Sequence, residues 1–415
     1  MNILIKNLSN TYNYGSMMMG ENLISRMFNH FGNSVSFYID SKTESDLERL
    51  RVATKCERIY SDKFLKFDLI TEKIKYVRFV EKVIREKLAY IKASKFYDSV
   101  IFLGGDDFAE TYYTLPRDNS VIKKTLKEIE YFNNRTKVFM IGQTIGPYTE
   151  ERKKWAKKYL SNVKIYTRDD DCLEYLSNEL EINGVKSRDL ALLDLNLQSE
   201  YKDNIESILN KYNLVKEEYI TFVGTGLLEL YSNNKDNFVN GIALTLEELI
   251  KRYPNKKIVY LSHVTLPKSS SDNKLIEFIK DKYKSLSKNI TFIDESILPV
   301  EARMILGNGY VTITFRMHAA VSTFQMGKPA ISLAYSKKYK GVIGNGLNMN
   351  DLIIDCKNNF NCDEMHKMVS NKLDYVDKNY KDICLEINKN VEICKKIVNK
   401  TLNEVNKILE SDINE

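Results

Sequence analysis

Histidine and cysteine are scarce: four and six residues respectively in a chain of 415, and neither type clusters. The cysteines stand at 56, 172, 356, 362, 384 and 394 with no Cys-x-x-Cys pair, and no His/Cys/Asp/Glu group has metal-ligand spacing. This argues against a disulfide scaffold or a zinc site and predicts reduced thiols, a cytoplasmic location and no metal. No run approaches the roughly 18 apolar residues that span a bilayer. The opening MNILIKNLSN reads as a strand rather than a signal peptide. A Gly-x-Ser-x-Gly elbow is missing. Gly15 and Gly20 have the spacing of a phosphate loop, but Glu21-Asn22 stands where Lys-Ser/Thr is required, which excludes a P-loop NTPase. A clustered basic face is missing too: 62 basic against 56 acidic residues leave a net charge of +6, which suits anionic substrates or contact with an anionic membrane surface rather than nucleic acid.

What is present is an ordinary globular composition in a chain long enough for two domains of roughly 200 residues. Short apolar runs at Ile3–Ile5, Ser34–Ile39, Ser99–Leu103, Lys137–Ile141 and Lys164–Thr167 alternate with amphipathic stretches at Gly20–Phe31, Phe67–Ala93, Ser120–Tyr131 and Glu151–Leu160. The pattern restarts after the polar connector 198–218, with strands expected at Tyr219–Val223, Lys257–Ser262, Ile290–Ile293, Tyr310–Ile313 and Ala330–Leu333. Alternating strands and helices imply parallel, doubly wound sheets, which bind ligands beyond the carboxyl ends of their strands. The expected fold is α/β, two Rossmann-like domains facing a cleft in the GT-B manner. An N-terminal domain covers 1–200, a C-terminal domain 201–375, and C-terminal helices 376–415.

Candidate residues sit at the strand ends. Arg316 and His318, one residue apart between a strand-like run and a helix-like run, are expected to point to the same side, as alternate residues at a strand end do. A fixed cation beside a titratable imidazole suits an anionic substrate whose chemistry moves a proton. Arg168, in Thr167-Arg168-Asp169, either forks onto a carboxylate or phosphate or pairs with Asp169 or a helix end. The loop Asn13-Tyr14-Gly15 precedes a helix expected from Met17. It is either a substrate loop or a plain turn. Gly105, Asp106 and Asp107 follow the strand Ser99–Leu103, the aspartates serving either a sugar hydroxyl or a helix cap. Gln143 lies in the turn after Lys137–Ile141. His263 ends its strand, where a structural role is the commoner one, and Lys268–Asp272 reads as a polar loop.

Taken in order, these segments resemble the polysaccharide pyruvyl transferase family. The match comprises Asn13-Tyr14-Gly15, Gly104-Gly105, Gly142-Gln143-Thr144-Ile145-Gly146-Pro147, Thr167-Arg168-Asp169, Arg316-Met317-His318, Gly327-Lys328-Pro329 and Ala334-Tyr335-Ser336-Lys337-Lys338. One departure stands out, Asp106 in place of a third glycine. The resemblance implies a GT-B-like fold and transfer of pyruvate from phosphoenolpyruvate to a sugar of a cell-surface glycan or its lipid-linked precursor, without a further cofactor. It implies donor binding and catalysis by Arg168, Arg316 and His318. Asn13, Gly15, Gly105, Asp106, Asp107, Gln143, His263 and Lys337 are then expected to contact substrate, the acceptor lying against Asn13, Asp106, Asp107 and Gln143. With a glycan precursor as acceptor, the inner face of the membrane becomes the expected place of work. Two alternatives remain: a glycosyltransferase of the same fold using a nucleotide sugar, and a non-catalytic glycan- or anion-binding protein.

Overall fold

The computed structural model describes every residue except 42, 65–86, 110–115, 269, 358–359 and 412–415. Two compact units emerge, neither a single stretch of chain. The first comprises 1–11, 19–189 and 399–415, and the second 12–18 and 190–398. The boundary expected at residue 200 therefore falls between Asp189 and Leu190. The C-terminal helix is divided between the units instead of forming a body of its own.

The first unit holds a seven-stranded sheet: β1 (Asn2–Lys6), β2 (Ser36–Ile39), β3 (Ile59–Ser61), β4 (Ser99–Phe108), β5 (Lys137–Ile145), β6 (Lys164–Thr167) and β7 (Gly184–Lys186), in the order β3-β2-β1-β4-β5-β6-β7. Every pairing is parallel. The second unit repeats the plan with β8 (Tyr219–Val223), β9 (Lys257–Leu261), β10 (Ile290–Ile293), β11 (Thr312–Thr314), β12 (Ala330–Ala334) and β13 (Ile353–Asp355), in the order β10-β9-β8-β11-β12-β13, again all parallel. Parallel strands are covered on both faces, which is why β8 (YITFV) and β12 (AISLA) are buried at every position. Each unit has a core of its own. Phe102, Phe132, Met140 and Leu160 belong to one, and Tyr219, Val259, Leu261 and Ile305 to the other.

The strand order reverses direction at β1/β4 in the first sheet and at β8/β11 in the second. Loops leaving those strands open the crevice in which doubly wound sheets hold ligands. Ten strands stand where the apolar runs predict them. The three unforeseen ones, β3, β7 and β13, are three-residue edge strands. Two strands run further than expected: β4 continues through Gly104-Gly105 to Phe108, and β5 through Gly142-Gln143 to Ile145. The first helix begins at Tyr14 rather than near Met17, so Gly15 lies inside it. Of the amphipathic stretch Phe67–Ala93, residues 67–86 lie outside the described residues, and 87–96 are helical. Near the C-terminus a single helix, Met365–Glu410, is kinked at Asn379. No helix among the described residues is long and apolar enough to cross a membrane.

Candidate active site

In the second unit the chain leaves β11 through a backbone fixed on all sides. Phe315 N–H donates to the Val223 carbonyl at 2.9 Å, and its own carbonyl accepts from the hydroxyls of Tyr231 (3.0 Å) and Tyr339 (2.6 Å). Thr314 Oγ1 accepts from Arg316 N–H at 2.8 Å and donates to the Arg316 carbonyl at 3.0 Å. Arg316 is thereby set, in extended conformation, as the residue before the helix Met317–Gln325. His318 falls in that helix's first turn. The strand alternation expected to align the two side chains does not apply, because β11 ends at Thr314.

Arg316 is 15% exposed and lies against Asp272, which is fully buried. Nε and Nη2 donate to Asp272 Oδ1 at 3.0 and 2.6 Å. Burial works against the guanidinium charge, and the Asp272 carboxylate more than offsets it, so the cation is held above its ordinary pKa. His318 is half-buried and packs on Gly15, where a Cβ would collide with its imidazole. Asn13, half-buried, forms an antiparallel bridge with Val264, and Tyr14 N–H donates to the His263 carbonyl at 3.2 Å. The ring of His263 meets Tyr14 edge-on at 5.3 Å. His263 itself is 2% exposed, and its pKa lies well below the usual histidine value. Burial is the main cause, followed by electrostatic repulsion from neighbours that include the guanidinium groups of Arg316 and Arg303. At neutral pH it is an uncharged imidazole. Lys337 is exposed at the start of the short helix after β12.

The first unit gathers a different set. Arg168, 1% exposed, follows β6. Its Nη2 donates to Asp106 Oδ1 at 2.5 Å, its Nε to Thr144 Oγ1 at 2.8 Å, and its Nη1 lies 3.6 Å from Asp189 Oδ2. Neither bland expectation for it holds. Asp169 does not pair with it but caps the next helix, accepting from Cys172 N–H at 2.7 Å. Asp106 is thus an ion-pair partner on β4. Asp107 beside it has a carboxyl pushed up to about 6 by burial and by the charges of Asp106 and Asp40. The residue is exposed on its open side, so acid–acid repulsion is the firmer of these causes. Gly105, register partner of Gln143, leaves room for that carboxylate, which a Cβ at 105 would meet at 2.5 Å. Gln143 is not in a turn. It lies within β5, fully buried, and its amide donates to the Leu103 carbonyl at 2.5 Å.

The sequence model described as polysaccharide pyruvyl transferase matches residues 13–337. This chain belongs to the polysaccharide pyruvyl transferase family. Its fold has wider company. UDP-GlcNAc 2-epimerase from Neisseria meningitidis, solved with UDP-GlcNAc, superposes with a TM-score of 0.61 at 12% identity, covering 98% of this chain and 100% of that one. An Anabaena protein solved with UDP and glucose, Alr3699/HepE, gives 0.58 at 8% identity, over 99% and 100%. Sucrose-phosphate synthase from Thermosynechococcus elongatus gives 0.56 at 11%, again over 99% and 100%. At such identities the likeness concerns fold alone, and it agrees with the expected GT-B-like architecture. No curated protein matches the chain by sequence.

For a member of this family the structure adds residues that the sequence leaves unmarked. Asp272, at the end of the polar run 268–272 (of which 269 lies outside the described residues), is one. Asp189, behind Arg168, is another. Arg303 is a third: fully buried, it donates to the carbonyls of Ala191 (2.6 Å) and Leu193 (2.8 Å) and to Gln198 Oε1 (3.0 Å). An aspartate before a helix and an arginine within one carry no sequence mark of such roles.

Proposed function

We propose that this protein transfers pyruvate from phosphoenolpyruvate to two hydroxyls of one sugar in a glycan or glycan precursor, forming a pyruvyl ketal and releasing phosphate. One observation carries the reading: a held arginine cation, Arg316, two residues before a half-buried histidine at the switch-point strand β11, in a chain of this family. The donor is a polyanion, and the guanidinium fork matches its carboxylate or phosphate in shape as well as charge. Its methylene carbon must gain a proton, and His318 is the donor of that proton or of the one taken by the departing phosphate. One sugar hydroxyl attacks the central carbon, phosphate leaves, and the second hydroxyl closes the ketal. Two hydroxyl protons are released, one new C–H bond is made, and no oxidant or reductant is needed.

Arg168 keeps a substrate-binding role in this proposal. Asp106 and Asp189 already engage it, so an incoming anion would displace Asp106, the more exposed partner. Within the second unit Asn13, Gly15, His263 and Lys337 are the further substrate residues of this proposal, and within the first Gly105, Asp106, Asp107 and Gln143. A nucleotide-sugar transferase is the second reading, favoured by the UDP-bound neighbours. Thermal-shift titration separates the two. Phosphoenolpyruvate at about 100 times its Kd should stabilise the protein by about 2.7 kcal/mol, with no response to UDP- or GDP-sugars. The converse result favours the nucleotide sugar.

A further inference from the structure

We infer that Asp272 is the positioning residue of the anion site, setting which edge of Arg316 meets substrate; the inference rests on the donor reading above. Five donors converge on this one fully buried carboxylate. Oδ1 accepts from Gly226 N–H at 3.0 Å and from Arg316 Nε and Nη2 at 3.0 and 2.6 Å. Oδ2 accepts from His263 N–H at 3.0 Å and Val264 N–H at 2.9 Å. Gly226 follows β8, His263 and Val264 follow β9, and Arg316 follows β11, so one side chain ties together three strand ends around the switch point. Asp272 also precedes the helix Asn273–Lys282, where an aspartate ordinarily caps the helix with its side chain. It makes no such bond here. Its acceptor capacity goes to the loops and the arginine instead.

The consequence for chemistry is directional. A guanidinium offers a side edge, Nε with Nη2, and an end edge, Nη1 with Nη2. Asp272 occupies the side edge, the second hydrogen of Nη2 goes to the Ser270 carbonyl at 3.4 Å, and among the described residues no hydrogen bond is made by Nη1. A substrate carboxylate or phosphate therefore meets Arg316 from the Nη1 side, with the Ser270 carbonyl the one weak contact it could displace. Without the carboxylate the guanidinium can turn, and the loop that carries His263 loses two of its anchors.

The test is a double-mutant cycle on phosphoenolpyruvate binding by calorimetry, using Asp272→Asn, Arg316→Ala and the double variant in the full chain. Asp272→Asn should weaken binding by about 10- to 10²-fold, the equivalent of one charge-assisted hydrogen bond lost or misdirected, and should cost little more once Arg316 is gone. In turnover assays it should raise KM for phosphoenolpyruvate more than it lowers kcat, whereas a purely structural role would cut the active fraction and leave KM alone. If Asp272→Asn does not fold, Asp272→Glu, which keeps the charge but moves it by a methylene, is expected to show the same KM effect. Unchanged affinity in either folded variant, or penalties that simply add, overturns the inference. Failure of the wild-type protein to bind phosphoenolpyruvate overturns the donor reading, and this inference with it.

Discussion

At the scale of single residues, function is concentrated where side chains are held by more bonds than packing requires. His318 is the clearest case to remove: His318→Ala should lower kcat by about 10²- to 10⁴-fold, the usual cost of losing a positioned proton donor. Its melting temperature should stay close to wild type, since the residue is only half-buried. Near-normal turnover would remove His318 from the mechanism. Gly15 provides a subtler check, because two effects oppose each other there. Gly15→Ala should strengthen the helix Tyr14–Phe31 by less than the roughly 1 kcal/mol of an interior position, since it is the second residue of that helix, while its methyl runs into the His318 side chain. Rotating the imidazole relieves only part of the clash, because His318 Cβ itself would lie 2.9 Å from the added methyl, so stability and turnover should both fall. Calorimetry beside steady-state kinetics reads both, and full activity in Gly15→Ala would show that His318 does not depend on that packing.

At the scale of elements, the loops after the strands are fastened by buried carboxylates, and Asp46 does this in the first unit. It is 4% exposed, accepts from Thr11 N–H (2.7 Å), Thr11 Oγ1 (2.6 Å) and Ser41 Oγ (2.7 Å), and also takes the Thr43 hydroxyl. Burial raises its pKa, but the hydrogen bonds from Ser41, Thr11 and Thr43 prevail and hold it below the ordinary carboxylate value. A carboxyl depressed in the folded state stabilises above its unfolded pKa, and that contribution disappears as pH falls through the folded value. Asp46→Asn should therefore cost roughly 1–3 kcal/mol near neutral pH. The gap to wild type should narrow below about pH 4, as urea melts across pH would show. A gap that widens in acid contradicts the assignment.

The same elements show what a sequence discloses. Long apolar runs such as YITFV and the order of the motifs are legible because parallel strands need continuous hydrophobicity and end at glycine or polar residues. The edge strands IYS, GVK and IID are too short to carry a pattern. The extension of β4 through two glycines and two aspartates was hidden because every residue in it reads as a turn former. Arg316 and His318 could be found as a pair, but not their setting. Their apparent alternation belongs to an extended residue and a helical turn. Asp272, on which the arginine depends, is distant in sequence and reads as the end of a polar loop.

At the scale of the molecule, two sheets of the same parallel plan each present a switch point, and the family match spans both units, taking in Arg168 after β6 in one and Arg316 and His318 after the switch-point strand β11 in the other. Segment 12–18, which carries the Asn13-Tyr14-Gly15 motif at the start of the chain, folds with the second unit and packs on His318 and His263. Asn13 and Gly15 are thereby brought to His263 and His318, about 250–300 residues further along the chain, within a single compact unit. The central claim, that this unit protonates and transfers the pyruvyl group of phosphoenolpyruvate, can be tested in deuterated water. The protein is incubated with phosphoenolpyruvate and surface-glycan precursors, and the product is read by mass and NMR spectroscopy. The account predicts stoichiometric phosphate release and a ketal whose methyl group carries one deuterium. Transfer of a sugar from UDP- or GDP-sugars, with phosphoenolpyruvate left intact, would contradict it.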